Sequence, residues 1–220
     1  LVAVEEAFQF GFPLDAQAVL LIEVDGLDAG LDSQRDAVVE LCQKCGAREV
    51  RQADTAAERQ KLWKSRKQAF GAIGRLSSSY CTQDGVVPRT QLPHILKRIT
   101  EIGSKYDLRI VNVFHAGDGN IHPILLFDER DPDQVKRVLQ ASGEILEECL
   151  ACGGSVTGEH GIGVEKIGFM HKMFSEDDIE VMSRLRQAFN PQNNLSPDKM
   201  LPTAGACGIE QHHPGRHAAM

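Results

Sequence analysis

Leu108-Arg-Ile-Val-Asn-Val-Phe114 and Ile121-His-Pro-Ile-Leu-Leu-Phe127, joined by the turn-rich Gly117-Asp-Gly-Asn120, decide how this chain folds. Both runs are short, aliphatic and bounded by turn residues, the signature of paired strands. Downstream, a helix over 132–152 leads into Gly153-Gly-Ser-Val-Thr157, and Ser175 caps a last helix running to about Ala188. Upstream, Gln83 to Arg89 reads as extended, and a helix over 90–105 takes Thr90 as its cap. Earlier still, Ala18-Val-Leu-Leu-Ile-Glu-Val-Asp25 and Arg48-Glu-Val-Arg-Gln52 read as strands. Between them, residues 31–45 carry helical periodicity through Leu31, Ala37, Val38 and Leu41, stopped by Gly46. A long helix from about Ala53 to Ile73 follows, with Leu62, Trp63, Ala69 and Phe70 on its apolar stripe, and residues 1–16 read as a helix end and a turn. Strands and helices in this order predict an α+β architecture, an antiparallel sheet backed by helices. Residues 1–202 form the expected domain; beyond Pro202 the composition turns to Gly, His and Ala, so 203–220 reads as a loose tail.

The bulk properties narrow the function. With 42% hydrophobic and 25% charged residues in 220, the chain has the balance of a globular protein with a sizeable core. No apolar run approaches the roughly 18 residues of a membrane span. Leu1-Val-Ala-Val-Glu-Glu6 carries acid where a secretory signal carries base, and the start at Leu1 suggests a segment from inside a longer gene. A cytoplasmic setting is expected. Acidic residues outnumber basic ones 31 to 24, and no Lys/Arg cluster is dense enough to track a phosphate backbone, which argues against nucleic acid.

Six cysteines include two C-x-x-C pairs, Cys42 with Cys45 and Cys149 with Cys152, each closing a helix just before glycine. Such spacing suits a zinc or redox site. It equally suits small apolar residues packed one helical turn apart, and the pairs lie over 100 residues apart without ribbon-like knuckles, so packing is the expectation.

His115-Ala-Gly-Asp-Gly-Asn-Ile-His122 is the strongest chemical signal. A histidine stands at the mouth of each strand, and residues opposite one another in an antiparallel pair have Cβ atoms about 5 Å apart. If His115 and His122 pair in this way, both imidazoles reach one cation. Gly153-Gly-Ser-Val-Thr-Gly-Glu-His-Gly-Ile-Gly163 is the second signal, a strand running into a loop that holds Glu159 and His160 between glycines. Glu159 would complete a His₂Glu metal set with an open position. His160, the next residue, would point elsewhere and serve as a base near neutral pH. Taken singly, each of these residues has an ordinary structural explanation; together they read as a site. Arg66, in Leu62-Trp-Lys-Ser-Arg-Lys-Gln68, can grip a carboxylate with two hydrogen bonds, but its basic neighbours make a solvated helix face the simpler reading.

These motifs, with Asn190-Pro-x-x-x-Leu-Ser-Pro-Asp-Lys-Met200 after them, occur in the same order and at similar spacing in the FAD-linked oxidases, which include glycolate, D-lactate and D-2-hydroxyglutarate dehydrogenases. Trp63-Lys-Ser-Arg-Lys-Gln-Ala-Phe70, Tyr80-Cys-Thr-Gln-Asp-Gly85 with Val87-Pro-Arg89, and Val111-Asn-Val-Phe-His-Ala-Gly117 resemble the flavin subunits of bacterial glycolate oxidases in particular. The resemblance implies a ferredoxin-like cap domain. It implies that His115, His122 and Glu159 ligate a divalent metal (zinc, iron or manganese), that His160 takes the substrate's hydroxyl proton, and that Arg66 holds the substrate carboxylate. It also implies FAD, held mainly by an N-terminal flavin domain of the same protein, a small 2-hydroxyacid substrate, and partner subunits, including an iron-sulfur subunit, that could bring it to the inner face of the cytoplasmic membrane.

Two departures are visible. Ser196-Pro-Asp-Lys199 stands where the family usually has Asn-Pro-Gly-Lys, and Ile124 stands where hydroxyglutarate enzymes place a polar substrate contact. An apolar residue there suits glycolate or lactate better than a second carboxylate. The chain by itself is expected to be inactive, since no Gly-rich FAD loop occurs in it. Two other readings remain at this point. One is a non-catalytic metal-binding or docking module that uses the tail bearing Cys207 and His212-His-Pro-Gly-Arg-His217; the other is a free-standing metal hydrolase built on His₂Glu.

Overall fold

Short helices separated by irregular connections occupy the first of two units, Leu1–Leu76; the second begins at Ser77. The structure, a computed structural model, describes residues 1–202. The tail expected over 203–220, with Cys207 and the histidines from His212 to His217, lies outside the described residues.

In the first unit α1 (Val2–Phe8) packs against α4 (Ala69–Ile73). Ala3, Val4 and Ala72 are buried there beneath a fringe of Phe8, Phe10, Phe12 and Leu76. Helix α2 (Asp28–Lys44) breaks its regular path at Ala29 and Gly30, the latter with φ 111°, so its regular part coincides with the predicted segment. Helix α3 (Ala56–Lys67) starts at a reciprocal cap, in which Thr55 Oγ1 accepts from the Glu58 amide and the Glu58 carboxylate accepts from the Thr55 amide. The predicted single helix over 53–73 is therefore two, α3 and α4, parted at Gln68.

Neither strand expected in this unit forms a ladder: Ala18–Asp25 and Arg48–Gln52 carry no strand structure. Aliphatic composition marks a segment that suits a pleated surface, but a strand exists only when a second one supplies the other half of its hydrogen bonds. Leu20 is 67% exposed, and Val19 and Ile22 are exposed with it.

The second unit is built on the predicted hairpin. Its sheet contains β1 (Ser79–Thr82), β2 (Gly85–Val86), β3 (Arg109–His115) and β4 (Asn120–Phe127). All pairings are antiparallel, with β4 at the centre, β3 along one side and β1 and β2 end to end along the other. Pro123 explains why β1 and β2 are separate. Gln83 donates its amide to the Pro123 carbonyl at 2.9 Å, but the reciprocal bond of a normal antiparallel pair needs an N–H that proline lacks. Beyond β2, Val86 and Ser155 exchange both backbone bonds at 2.9 Å. The order Ser155, β2, β4, β3 is that of a ferredoxin-like sheet whose last strand is reduced to one bridge.

Helix α5 (Leu92–Lys105) and helix α6 (Pro132–Ala151) cover one face of this sheet. Side chains alternate between faces along a strand, and Ile121 and Leu125 of β4 meet Ile95, Ile99 and Ile102 of α5 and Val138, Ala141, Ile145 and Cys149 of α6. Each fully buried aliphatic contributes roughly 1.5–3 kcal/mol, so this layer anchors the unit. Cys149 packs here as a small apolar side chain, its thiol pushed up to about 12 by burial first and by neighbouring Cys152 second.

Two caps differ in outcome. Asp131 caps α6 and Ser175 caps α8 (Glu176–Phe189), the latter as the sequence predicts. Thr90 does not cap α5; it lies inside a short 3₁₀ turn, Arg89–Gln91, and Pro93 occupies the first turn of α5. Before α8, a second 3₁₀ turn (Ile167–Phe169) runs into the short α7 (Met170–Met173).

Candidate active site

The residues of β4 that turn away from the helices, Asn120, His122, Ile124 and Leu126, are all buried. His122 is 2% exposed, and burial, the dominant influence, pushes its imidazole toward the neutral form despite the Gln83 carbonyl and Asp84 nearby. Its Nδ1 lies 3.3 Å from the Gln83 carbonyl oxygen, the same oxygen that Pro123 cannot serve. A carbonyl only accepts, so the proton belongs on Nδ1, and Nε2 is the nitrogen with the lone pair. Nε2 lies 3.1 Å from Glu159 Oε1. The backbone has thus selected the tautomer a metal ligand needs, by the outer-shell contact typical of ligating histidines.

His115 reaches the same place from β3, though not by direct pairing. In the observed register His122 faces Val113 and His115 faces Asn120, so the two histidines are diagonal neighbours on one face. Their ring centroids are 5.5 Å apart and the rings are perpendicular. The turn that sets this register depends on Gly119, whose φ is 74° and whose place would put a Cβ 2.1 Å from the Val87 carbonyl oxygen.

Glu159 and His160 arrive on the loop after Ser155. Glu159 Oε1 is 3.9 Å from His115 Nε2 and 3.6 Å from His160 Nε2. The expectation that His160 would point away from the metal set is not met: its ring stacks on His122, centroids 5.1 Å apart and 9° from parallel. Adjacent side chains diverge when the backbone is extended, but here it is tightly turned, with Gly161 at φ 85°. Ligand atoms of His115, His122 and Glu159 all lie within 4.8 Å of one another. With metal–ligand bonds of about 2.1 Å, two ligands of a tetrahedral ion stand about 3.4 Å apart, so the separations around Glu159 fit a single cation. His115, Glu159 and His160 are about half exposed while His122 is enclosed, so the cluster is open on one side.

The sequence reading missed what holds this loop. Asp84, 1% exposed, lies beneath it. Its Oδ2 accepts from the Thr157 hydroxyl at 2.7 Å and from the amides of Gly158, Glu159 and His160 at 2.9, 3.2 and 2.9 Å. Burial alone would raise its pKa, but these donors outweigh burial and hold the carboxyl well below the usual range. Buried Lys166 donates to the Asp84 backbone carbonyl at 2.8 Å, with its ammonium 3.7 Å from Oδ2. The available signal was a lone acid within an otherwise uncharged extended stretch, Gln83–Pro88. Asp84, His122 and His160 also fall within metal-ligating distance of one another. That set is the poorer one, because the lone pairs of Asp84 Oδ2 are already engaged and His122 Nδ1 faces a carbonyl.

Gly158 is fixed by Asn120, since a Cβ there would lie 2.7 Å from the Asn120 amide. Asn120 Oδ1 is buried without a hydrogen-bond partner, an orphaned polar atom at the edge of the cluster. Ile124, two residues beyond His122, is fully buried. Arg66 belongs to the first unit, on α3, half-buried, with its guanidinium 5.8 Å from the Phe70 ring centroid. In the segment after α8, Asn190 accepts from the amides of Asn194 and Leu195, and Ser196 and Asp198 both have positive φ.

Among the described residues no helix is long and apolar enough to cross a membrane. Comparison with known proteins gives a consistent result. The family model described as "FAD linked oxidases, C-terminal domain" matches residues 1–200. The glycolate oxidase subunit GlcD of Escherichia coli K12 is 44% identical over 215 residues, covering 96% of this chain and 43% of that protein. Its namesake in Bacillus subtilis is 38% identical over 91% of this chain and 43% of its own length. A probable mitochondrial D-lactate dehydrogenase of Danio rerio is 32% identical over 83% of this chain. The chain therefore spans less than half the length of these relatives. By motif order, sheet topology and similarity along nearly its whole length, it belongs to the FAD-linked oxidases, as their C-terminal domain.

Proposed function

We propose that this chain is the substrate- and metal-binding half of an FAD-dependent 2-hydroxyacid dehydrogenase that oxidises glycolate or D-lactate to the 2-oxoacid. The observation that carries the reading is the convergence of His115, His122 and Glu159 on one point, with His160 stacked beside them. His115, His122 and Glu159 would hold a divalent cation, for which the donor set and its spacing are suited. When bound, that cation acts as a Lewis acid toward the substrate's hydroxyl and carboxylate oxygens, and the flavin accepts the hydride.

His160 receives the hydroxyl proton on its imidazole, within reach of a substrate that enters from the open side. Arg66 is assigned to the substrate carboxylate on the family resemblance, a two-pronged contact suited to a planar acid. On the family resemblance, apolar Ile124 stands where hydroxyglutarate enzymes place a polar substrate contact, which favours a small substrate. The relatives' names, glycolate oxidase subunit and D-lactate dehydrogenase, point the same way. FAD would be held mainly by the part of the protein outside this chain, so the chain by itself is expected to bind metal without turning substrate over. The word "subunit" in the relatives' names supports partner subunits; an iron-sulfur subunit among them and a cytoplasmic setting are proposed on the family resemblance alone.

Anaerobic stopped-flow reduction of the flavin in the intact flavoprotein tests this. His160→Ala is expected to slow flavin reduction by about 10²–10⁴-fold, the usual weight of general-base catalysis, with FAD and metal content unchanged. Reduction at the parent rate would remove His160 from the role.

A further inference from the structure

We infer that Asp84 is the positioning residue of this site: its buried carboxylate is the mould on which the Glu159–His160 loop is shaped. The inference rests on the functional reading above and adds to it the group that sets the direction of both loop side chains. Three consecutive amides and a hydroxyl converge on a single oxygen, the arrangement of a backbone anion nest, with the anion supplied by the protein itself. Thr157 closes the nest, because its hydroxyl donates to Asp84 and accepts from the Gly161 amide at 2.8 Å.

Each amide that points at Asp84 fixes the peptide plane next to a functional residue. With the Glu159 and His160 amides directed inward, their side chains are directed up toward His122 and His115. This accounts for two neighbouring residues reaching one cluster. Asp84 also lies near the strand side of the site, with Oδ1 3.9 Å from His122 Nδ1. It is itself held from below by Lys166 through its own carbonyl. Asp84, next to the Gln83 whose amide donates to Pro123 of β4, thus joins the strand that carries His122 to the loop that carries Glu159 and His160, and contributes no bond to metal or substrate.

The test uses the intact flavoprotein and compares Asp84→Asn, Thr157→Val, Glu159→Gln and His160→Ala with the parent. Asn keeps the shape and one acceptor oxygen but removes the charge, which weakens every bond the four donors make to it, and its N–H₂ takes the place of Oδ1 beside the Glu159 amide. Zn²⁺ affinity measured against a chromophoric chelator is expected to fall about 10–100-fold, the effect of losing an outer-shell partner. Flavin reduction at saturating substrate is expected to fall by about 10²-fold, since displacing a reacting group by 1 Å costs that much, while FAD content stays at the parent level and KM changes little. Ile102→Val, a core substitution in α5 on the opposite face of the sheet, provides the structural control: it lowers the melting temperature and leaves both readouts unmoved.

If Asp84→Asn fails to fold, Thr157→Val removes one donor from the nest without changing side-chain size, and a several-fold loss in both readouts is expected there. Parent-level affinity and reduction in the folded variants would overturn the positioning role. If Glu159→Gln and His160→Ala also behave as the parent, the functional reading falls with it. If those two lose function while Asp84→Asn does not, only the role of Asp84 is refuted.

Discussion

Replacing His122 with alanine takes out the one enclosed member of the proposed metal set, and the size of the effect follows from its place there. A zinc site with four ligands binds with about 10–16 kcal/mol in all, so one ligand carries about 2.5–4 kcal/mol. At 1.4 kcal/mol per tenfold, affinity should fall by about 10²–10³-fold. No protonation cost masks this near neutral pH, because burial already keeps the imidazole neutral. The effect can be read as stability. Metal at about 100 times the parent Kd stabilises the parent by about 2.7 kcal/mol, whereas the variant, with Kd raised 10²–10³-fold, gains no more than about 0.4 kcal/mol. For a chain of this size that is a metal-induced rise in Tm of about 5–11 °C against about 2 °C or less. The assay is thermal denaturation of the purified chain, stripped by chelator, with and without Zn²⁺, beside a direct count of ions per chain. An undiminished metal-induced shift in His122→Ala would refute the assignment of His122.

Two further outcomes follow from other parts of the molecule. Pro123→Ala restores an N–H opposite the Gln83 carbonyl, where it competes with His122 Nδ1; chelator competition should show Zn²⁺ affinity lowered by about tenfold with no loss of Tm, and unchanged affinity would mean the tautomer is set in another way. Cys149, buried and with its thiol pushed up to about 12, should resist alkylation at pH 8, where its thiolate fraction is about 10⁻⁴, while exposed Cys45 is modified; native-state labelling of Cys149 at a rate like that of Cys45 would contradict the packing reading.

The parts of this fold that the sequence announces are those whose information is local. The hairpin declares itself through two aliphatic runs around Gly117–Asn120, and the helix after Ser175 through its cap. The motifs of the proposed site stand out for the same reason, since glycines that allow tight turns lie beside residue types able to bind metals. What stays hidden depends on partners far along the chain. Ala18–Asp25 has a strand's composition but finds no ladder within its unit. The diagonal relation of His115 to His122 is a matter of register, which one residue in the turn can change. Asp84 is the clearest case: its four loop donors lie 73–76 residues away, so nothing in its own neighbourhood states its purpose.

The two motifs of the proposed site come from separate parts of the chain, and both are oriented by one pair of residues, Gln83 and Asp84. Gln83 lends a carbonyl to His122, and it is available because Pro123 has no amide hydrogen to give. Asp84, the next residue, turns its carboxylate the other way and gathers the amides of the Glu159–His160 loop. A proline in the central strand would ordinarily weaken a sheet by one ladder bond, and a buried carboxylate would ordinarily be a burden unless fully partnered. Here the lost ladder bond is replaced by the imidazole contact, and the carboxylate is saturated by backbone donors that would otherwise need water. Two features that look unfavourable for folding when taken singly thus become compatible with it, because each satisfies a polar group of the site. The gap between β1 and β2 follows from this arrangement, as the place where the sheet gives up regular pairing so that its central strand can present a histidine in one defined tautomer.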